Sequence, residues 1–209
     1  MSDRAFFDSA AKERTKRAIQ AVEAQTSAEV VVTLRRVSGD YRAADALAGT
    51  LLAVGSALAL LYLPHAIERS LVVIDVALTY AIGAIASRTI PWLRRALTPS
   101  RLRAANVHAA ARAAFVDQGI SKTSGRFGVL VYLAMFERTV EVVCDVGVDP
   151  KAIAGFDAIV AELRASIAAP DLDRFLAALE KLGPALGAAL APREGDENEL
   201  PDEVDARQT

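Results

Sequence analysis

Two long apolar runs near the middle of the chain limit what it can fold into more than any other feature. Ala46 to Leu63 carries no charge and is closed by Pro64. After the short link His65-Ala66-Ile67-Glu68-Arg69-Ser70, a second run extends from Leu71 to Ser87, broken only by Asp75. A helix crossing about 30 Å of hydrocarbon needs about 20 apolar residues, with roughly 17 as the lower end. Each run reaches that lower end, and two of them joined by a handful of residues make a helical hairpin. The alternative is a pair of core helices in a soluble bundle; the length criterion favours the membrane.

The charges around the runs point the same way. Arg35, Arg36 and Arg42 precede the hairpin, Arg88, Arg94, Arg95, Arg101 and Arg103 follow it, and the link holds only Arg69. Cytoplasmic flanks of membrane helices carry the excess of Lys and Arg, so both termini are expected in the cytoplasm and the link outside. The expected location is the cell inner membrane, with two passes. Tyr62 and Trp92 lie near opposite ends of the hairpin, where interfacial aromatics belong. Asp75 is costly at mid-bilayer, by about 2.5–3.5 kcal/mol. It sits four residues past Leu71, only about 6 Å into the run at 1.5 Å per residue. That depth suits an interfacial carboxylate better than an ion relay.

The remaining segments alternate between helical and strand patterns. Residues 8–25 read as an amphipathic helix with Phe7, Ala11, Ala18 and Val22 on one face. Glu29 to Arg35 reads as a β-branched strand. Thr98-Pro99-Ser100 looks like a helix start, with Thr98 as cap and Leu102, Ala105, Ala109, Ala113 and Val116 as its inner face. Phe127 to Leu133 is a near-continuous apolar strand, expected to be central and buried on both faces. Thr139 to Cys144 is expected to pair with it as a hairpin. Asp149-Pro150 opens a helix striped by Ile153, Phe156, Val160, Leu163 and Ile167. Pro170-Asp171 opens another, striped by Leu172, Phe175, Leu179, Leu182 and Leu186 and kinked at Gly183-Pro184. From Arg193 the chain is acidic with few bulky apolar residues, which predicts a disordered tail.

Composition excludes several classes. Net charge is −2, so no global basic character invites nucleic acid. The single cysteine, Cys144, rules out an internal disulfide framework and a paired-cysteine metal or redox site. The opening residues lead into a charged stretch rather than a signal-peptide core, so membrane contact is expected through the internal hairpin.

The order of these segments resembles the TPM domain, the family named for a thylakoid lumen protein, a photosystem repair protein and a receptor accessory protein. The resemblance is carried by Glu29-Val30-Val31-Val32, Phe115 to Ile120, Thr123-Ser124-Gly125-Arg126-Phe127-Gly128-Val129-Leu130, Glu137-Arg138, Val140-Glu141-Val142 and Asp145-Val146-Gly147-Val148. Asn198-Glu199-Leu200-Pro201-Asp202 adds to it near the end. It is nearest to the bacterial branch in which a membrane hairpin splits the domain, and it spans roughly residues 8–40 and 100–205. Phe127 stands where a threonine is expected. The resemblance implies a fold of class α/β: a small layered α/β/α domain split by a two-helix transmembrane hairpin. In this layout residues 1–42 and 98–192 are the two parts of the domain, 43–97 the hairpin, and 193–209 the disordered acidic tail. It also implies links with phosphatase activity and divalent-cation binding.

Two constellations could carry such chemistry. Glu141, Asp145 and Asp149 place oxygen donors in and after the second hairpin strand, a set that could hold Ca²⁺ or Mg²⁺. Their structural alternatives are a cross-hairpin pair of Glu141 with Arg138, a turn fixed by Asp145, and a helix cap by Asp149. Thr123 and Arg126, with the amides around Gly125, could hold phosphate; the alternative is an ordinary loop that starts a strand. His108 is expected to be a helix residue rather than a ligand, because no second histidine or cysteine accompanies it. No phosphate-binding glycine loop, serine elbow or His-Glu-x-x-His motif is present. The expected function is therefore a binding or scaffold module for a membrane assembly, contacting the bilayer and a membrane protein partner but no nucleic acid. Its rivals are a weak metal-dependent phosphatase using Asp145, and a soluble α-rich protein that oligomerises through the hairpin. The sequence sets no oligomeric state.

Overall fold

The computed structural model describes residues 3–62, 69–123, 125–192, 200 and 204–207. Most of the hairpin link and most of the acidic tail thus lie outside the described residues, as does Ser124. In chain order the elements are α1 (Ser9–Glu23), β1 (Glu29–Arg35), α2 (Arg42–Tyr62), α3 (Arg69–Thr89), α4 (Pro91–Ala96) and α5 (Ser100–Asp117). They continue with β2 (Gly128–Ala134), β3 (Thr139–Cys144), α6 (Phe156–Ala168), α7 (Leu172–Glu180), α8 (Leu182–Ala189) and β4 (Asp205–Arg207). The chain forms two compact units, Met1–Ser38 with Ala105–Thr209, and Gly39–Ala104.

The first unit is a mixed sheet in the order β3-β2-β1-β4. β1 and β2 run parallel from Glu29↔Gly128 to Arg35↔Ala134. β2 and β3 form an antiparallel hairpin from Val129↔Cys144 to Ala134↔Thr139. All seven residues of β2 are buried, as its unbroken apolar run predicts for a strand covered on both faces. Successive side chains of a strand point to opposite faces. Val30, Val32 and Leu34 of β1 therefore join Val129, Val131 and Leu133 in a large core beneath α1, α6, α7 and α8. Val31 joins Leu130 and Tyr132 in a smaller core with Val107, Ala111 and Phe115 of α5. The helical stripes expected for α6 and for α7 with α8 are buried. Pro184 has no N–H for Glu180, and the helix breaks between α7 and α8 at Lys181.

Four local expectations are corrected. The inner face of α5 is Val107, Ala111, Ala114 and Phe115, while Leu102, Ala105, Ala109, Ala113 and Val116 point outward. Alanine occupies every side of this helix, so periodicity gave no contrast to choose by. Thr98 does not cap α5: its hydroxyl donates back to the Arg94 carbonyl at 2.7 Å, and the Pro99 carbonyl receives Leu102 N at 3.1 Å. Asp149 does not open α6, which begins at Phe156 after a left-handed Gly155 with φ of 75°. Asp149 instead fixes a turn, its Oδ1 accepting from Lys151 N at 3.0 Å. At the end of the tail, Asp205–Arg207 is not disordered: it adds to β1 in parallel, Thr33↔Asp205 to Arg35↔Arg207. Three residues are too few to show a strand period, and the ladder with β1 is what orders them.

The second unit is a helical hairpin closed by small residues. A Cβ on Gly83 would stand 2.7 Å from the Ala48 carbonyl oxygen and 2.9 Å from Gly49 Cα. Backbones this close need small side chains, the usual device of helix pairs in lipid. Two polar clamps join α2 to α3. The Ser56 hydroxyl donates to the Asp75 carboxylate, so the half-buried acid expected at an interface is tied to the neighbouring helix. Asp45, 5% exposed, receives Ser87 Oγ at 2.9 Å and Arg94 Nη2 at 2.9 Å. Arg88 lies 3.5 Å from the same carboxylate, and Arg94 stacks over the Tyr41 ring at 5.7 Å. The outer faces are apolar and uncovered, with Leu61 73% and Val73 71% exposed.

Adding one methyl at the crossing should force the helices apart. Gly83→Ala is expected to lower stability by about 1–3 kcal/mol, measured by heat unfolding in detergent. Gly55→Ala, where nothing lies within 4 Å, should stay within about 0.5 kcal/mol of the parent.

Candidate functional site

The residues assigned from sequence to two different sites meet as one ion pair. Arg126, in the left-handed region with φ of 55°, lays its guanidinium against Asp145 through Nε–Oδ2 at 2.9 Å and Nη2–Oδ1 at 3.0 Å. Asp145 is buried, and its Oδ1 also accepts from Val146 N at 2.7 Å. The carboxylate raises the Arg126 pKa, first through the hydrogen bond and then through its charge. The candidate anion ligand and the candidate cation ligand thus neutralise each other, and both oxygens of Asp145 are engaged. Thr123 is buried, its hydroxyl 3.5 Å from the Ile120 carbonyl. Gly147 closes the loop: a Cβ there would stand 2.6 Å from the Arg126 carbonyl oxygen.

The other candidate ligands lie apart. Glu141 pairs not with Arg138 but with His108 Nδ1 at 2.9 Å and Arg164 Nη2 at 3.5 Å. Its register opposite Tyr132 turns it toward the side covered by α5, which is why the helix histidine reaches it. Asp149 stays in its own turn. Among the described residues, no three histidine, cysteine or acidic side chains gather as a metal site.

A more developed site lies at the carboxyl ends of β1 and β2, on the α5 side of the sheet. Parallel strands open clefts at their carboxyl ends because the chain leaves the sheet there. Here the cleft has a volume of about 320 Å³ and is lined by Arg35, Ser38, Ala110, Gln118, Tyr132 and Asp205 among others. Alanines on α5 leave it room, and polar groups line its floor. Tyr132 Oη lies 3.2 Å from Ser38 Oγ, and burial raises the pKa of this phenol. Ser38 N donates to Glu137 Oε1 at 2.8 Å. Gln118 Nε2 donates to Thr33 Oγ1 at 2.8 Å and to Asp205 Oδ2 at 3.3 Å. Arg35 Nη2 meets Asp205 Oδ2 at 2.7 Å, and Arg35 Nη1 donates to the Asp205 carbonyl at 2.8 Å. Sequence reading treated Arg35 as a topology charge and Tyr132 as core. The available signal was an arginine ending an otherwise apolar strand.

The sheet order, the α-helices on both faces and the cleft at the strand ends define a layered α/β module. No protein-family model and no curated relative matches the chain. Among solved structures it is similar to the BA42 protein of the psychrophilic bacterium Bizionia argentinensis, determined by NMR. The TM-score is 0.56 at 16% identity, covering 96% of this chain and 94% of that one. Likeness at that identity is likeness of fold.

Two measurements check the electrostatics of this region. In a double-mutant cycle, Arg126→Ala and Asp145→Asn should each destabilise the chain and should be strongly non-additive; additive losses would mean the pair is not coupled. Burial pushes the Cys144 thiol from 9.0 up to about 11. The unfolded chain then loses this proton first as pH rises, so the thiol's contribution to stability falls across that interval. Denaturation midpoints of Cys144→Ala should therefore decline less steeply between those two pH values than those of the parent.

Proposed function

We propose that this chain is a membrane-anchored protein of the TPM group, with α2 and α3 inserted in the cell inner membrane and both termini in the cytoplasm. In this reading the α/β module acts as a binding scaffold for a membrane assembly. The observation that carries the anchor is the uncovered apolar surface of two 21-residue helices. Only 28% of the apolar window in α2 and 11% of that in α3 is buried, whereas helices in a soluble core are mostly covered. The polar side chains of the hairpin face inward as Ser56–Asp75 and Asp45–Ser87–Arg94, the arrangement expected where the surroundings are lipid. The arginines on both flanks supply the cytoplasmic bias.

The binding role rests on the cleft of Arg35, Ser38, Gln118 and Tyr132. Divalent-cation binding through Asp145 would compete with Arg126, which engages both carboxylate oxygens.

Fractionation and accessibility test the anchor. In a Cys144→Ala background, single cysteines are placed at His65 in the link and at Lys151 on the module. The chain is expected to need detergent for extraction. An impermeant maleimide should label position 65 in intact cells and position 151 only after lysis. Recovery in the soluble fraction, or release by carbonate alone, would overturn the anchor in favour of hairpin-mediated oligomers.

A further inference from the structure

The last strand of the chain sits on a sheet edge in a way that resembles a bound peptide. β4 is three residues long, and its ladder covers only Thr33 to Arg35 of β1. Polar contacts to one of its side chains reinforce that ladder. Arg35 holds both the carboxylate and the carbonyl of Asp205, and Gln118 holds the same carboxylate while anchored on Thr33. The ion pair is shielded, with side chains 14% and 24% exposed. On the opposite face Val204 and Ala206 pack against the large core. The recognised pattern is thus a small apolar residue, an aspartate and another small apolar residue in extended form. Beside Asp205 the cleft continues toward Ser38 and Tyr132, so the site is larger than the side chain the tail supplies.

We propose that this edge of β1 is a receptor for an extended acidic segment of another protein, and that β4 is its tethered intramolecular competitor. Main-chain pairing with β1 supplies affinity, and alternate side chains supply specificity, the usual division in strand addition. Arg35 and Gln118 read the carboxylate of the incoming strand opposite Thr33. The shielded, charge-assisted contact discriminates against strands lacking an acid at that position. The proposal deepens the binding-scaffold reading by naming the partner's chemistry, and it is independent of whether α2 and α3 enter a bilayer.

The test uses the full chain in detergent micelles and a fluorescein-labelled peptide of residues 200–209, followed by fluorescence polarisation. In the parent the tethered strand competes at an effective concentration on the order of millimolar, so the peptide binds weakly. Asp205→Lys sets a cation against Arg35 and releases β4; removing the tethered competitor should tighten peptide binding by at least about tenfold. Adding Gln118→Ala or Arg35→Ala to that chain should return binding toward the parental level, with circular dichroism confirming that the Gln118→Ala chain is folded. An Asp205→Lys chain that binds no more tightly than the parent overturns the proposal, and so does a gain that survives both added changes. Conversion of a parental dimer to monomer by Asp205→Lys, without a gain in peptide affinity, overturns it in favour of strand exchange between copies. A soluble chain that binds the peptide removes only the anchor, whereas a membrane-bound chain that does not bind removes only the receptor.

Discussion

Burial of β2 on both faces is the constraint from which the rest of the α/β unit follows. Seven consecutive residues, Gly128 to Ala134, are shielded from water, so their backbone groups need strand partners on both sides. β1 supplies one ladder and β3 the other. Both sheet faces must also be covered, which commits α1, α6, α7 and α8 to one side and α5 to the other. The two cores are unequal. Four helices build a deep apolar layer around Leu163, Ile167, Phe175 and Leu179, while α5 alone, rich in alanine, makes a thinner cover. The cleft opens on the thin side because small side chains there leave part of the sheet's polar end unfilled.

Charge placement follows one rule in both units: a buried or half-buried carboxylate is matched by a guanidinium or hydroxyl from another element. Asp145 has Arg126, Asp205 has Arg35, Asp45 has Arg94 and Ser87, and Asp75 has Ser56. Removing one partner of such a pair leaves a charge in a poor environment, which costs more than the pair itself contributes. These pairs therefore act as registry devices. Arg126–Asp145 ties the turn before β2 to the end of β3, Arg35–Asp205 sets the tail against β1, and Asp45–Arg94 closes the base of the hairpin. The Asp205 pair differs from the others in joining a short edge strand beside an open cleft, which suits exchange better than permanence.

Much of the architecture was legible along the chain because its signals are local. The bounds of β1 and β3, the continuous burial of β2, the stripes of α6 and α7, and the break at Lys181 ahead of Pro184 all follow from side-chain period and proline chemistry. The hairpin was legible from length and lack of charge. The inner face of α5 was not, because alanine carries no face preference. The role of Asp149 was misread because an Asx turn and a helix cap share the same residue types and the same neighbouring proline.

The candidate site was the least legible part, for a reason that separates sequence from tertiary structure. By itself the sequence determined most of the strands and helices, though not the three-residue β4, and which two helices are long and apolar enough to cross a membrane, since each depends on neighbours within a few turns of chain. Only the tertiary structure decided which charges meet. Arg126 and Asp145 are 19 residues apart, and Arg35 and Asp205 are 170 apart. Nothing local distinguishes a carboxylate that holds an ion from one that neutralises an arginine. Electrostatic partners act through space over a few ångströms, and folding, not spacing along the chain, sets those distances.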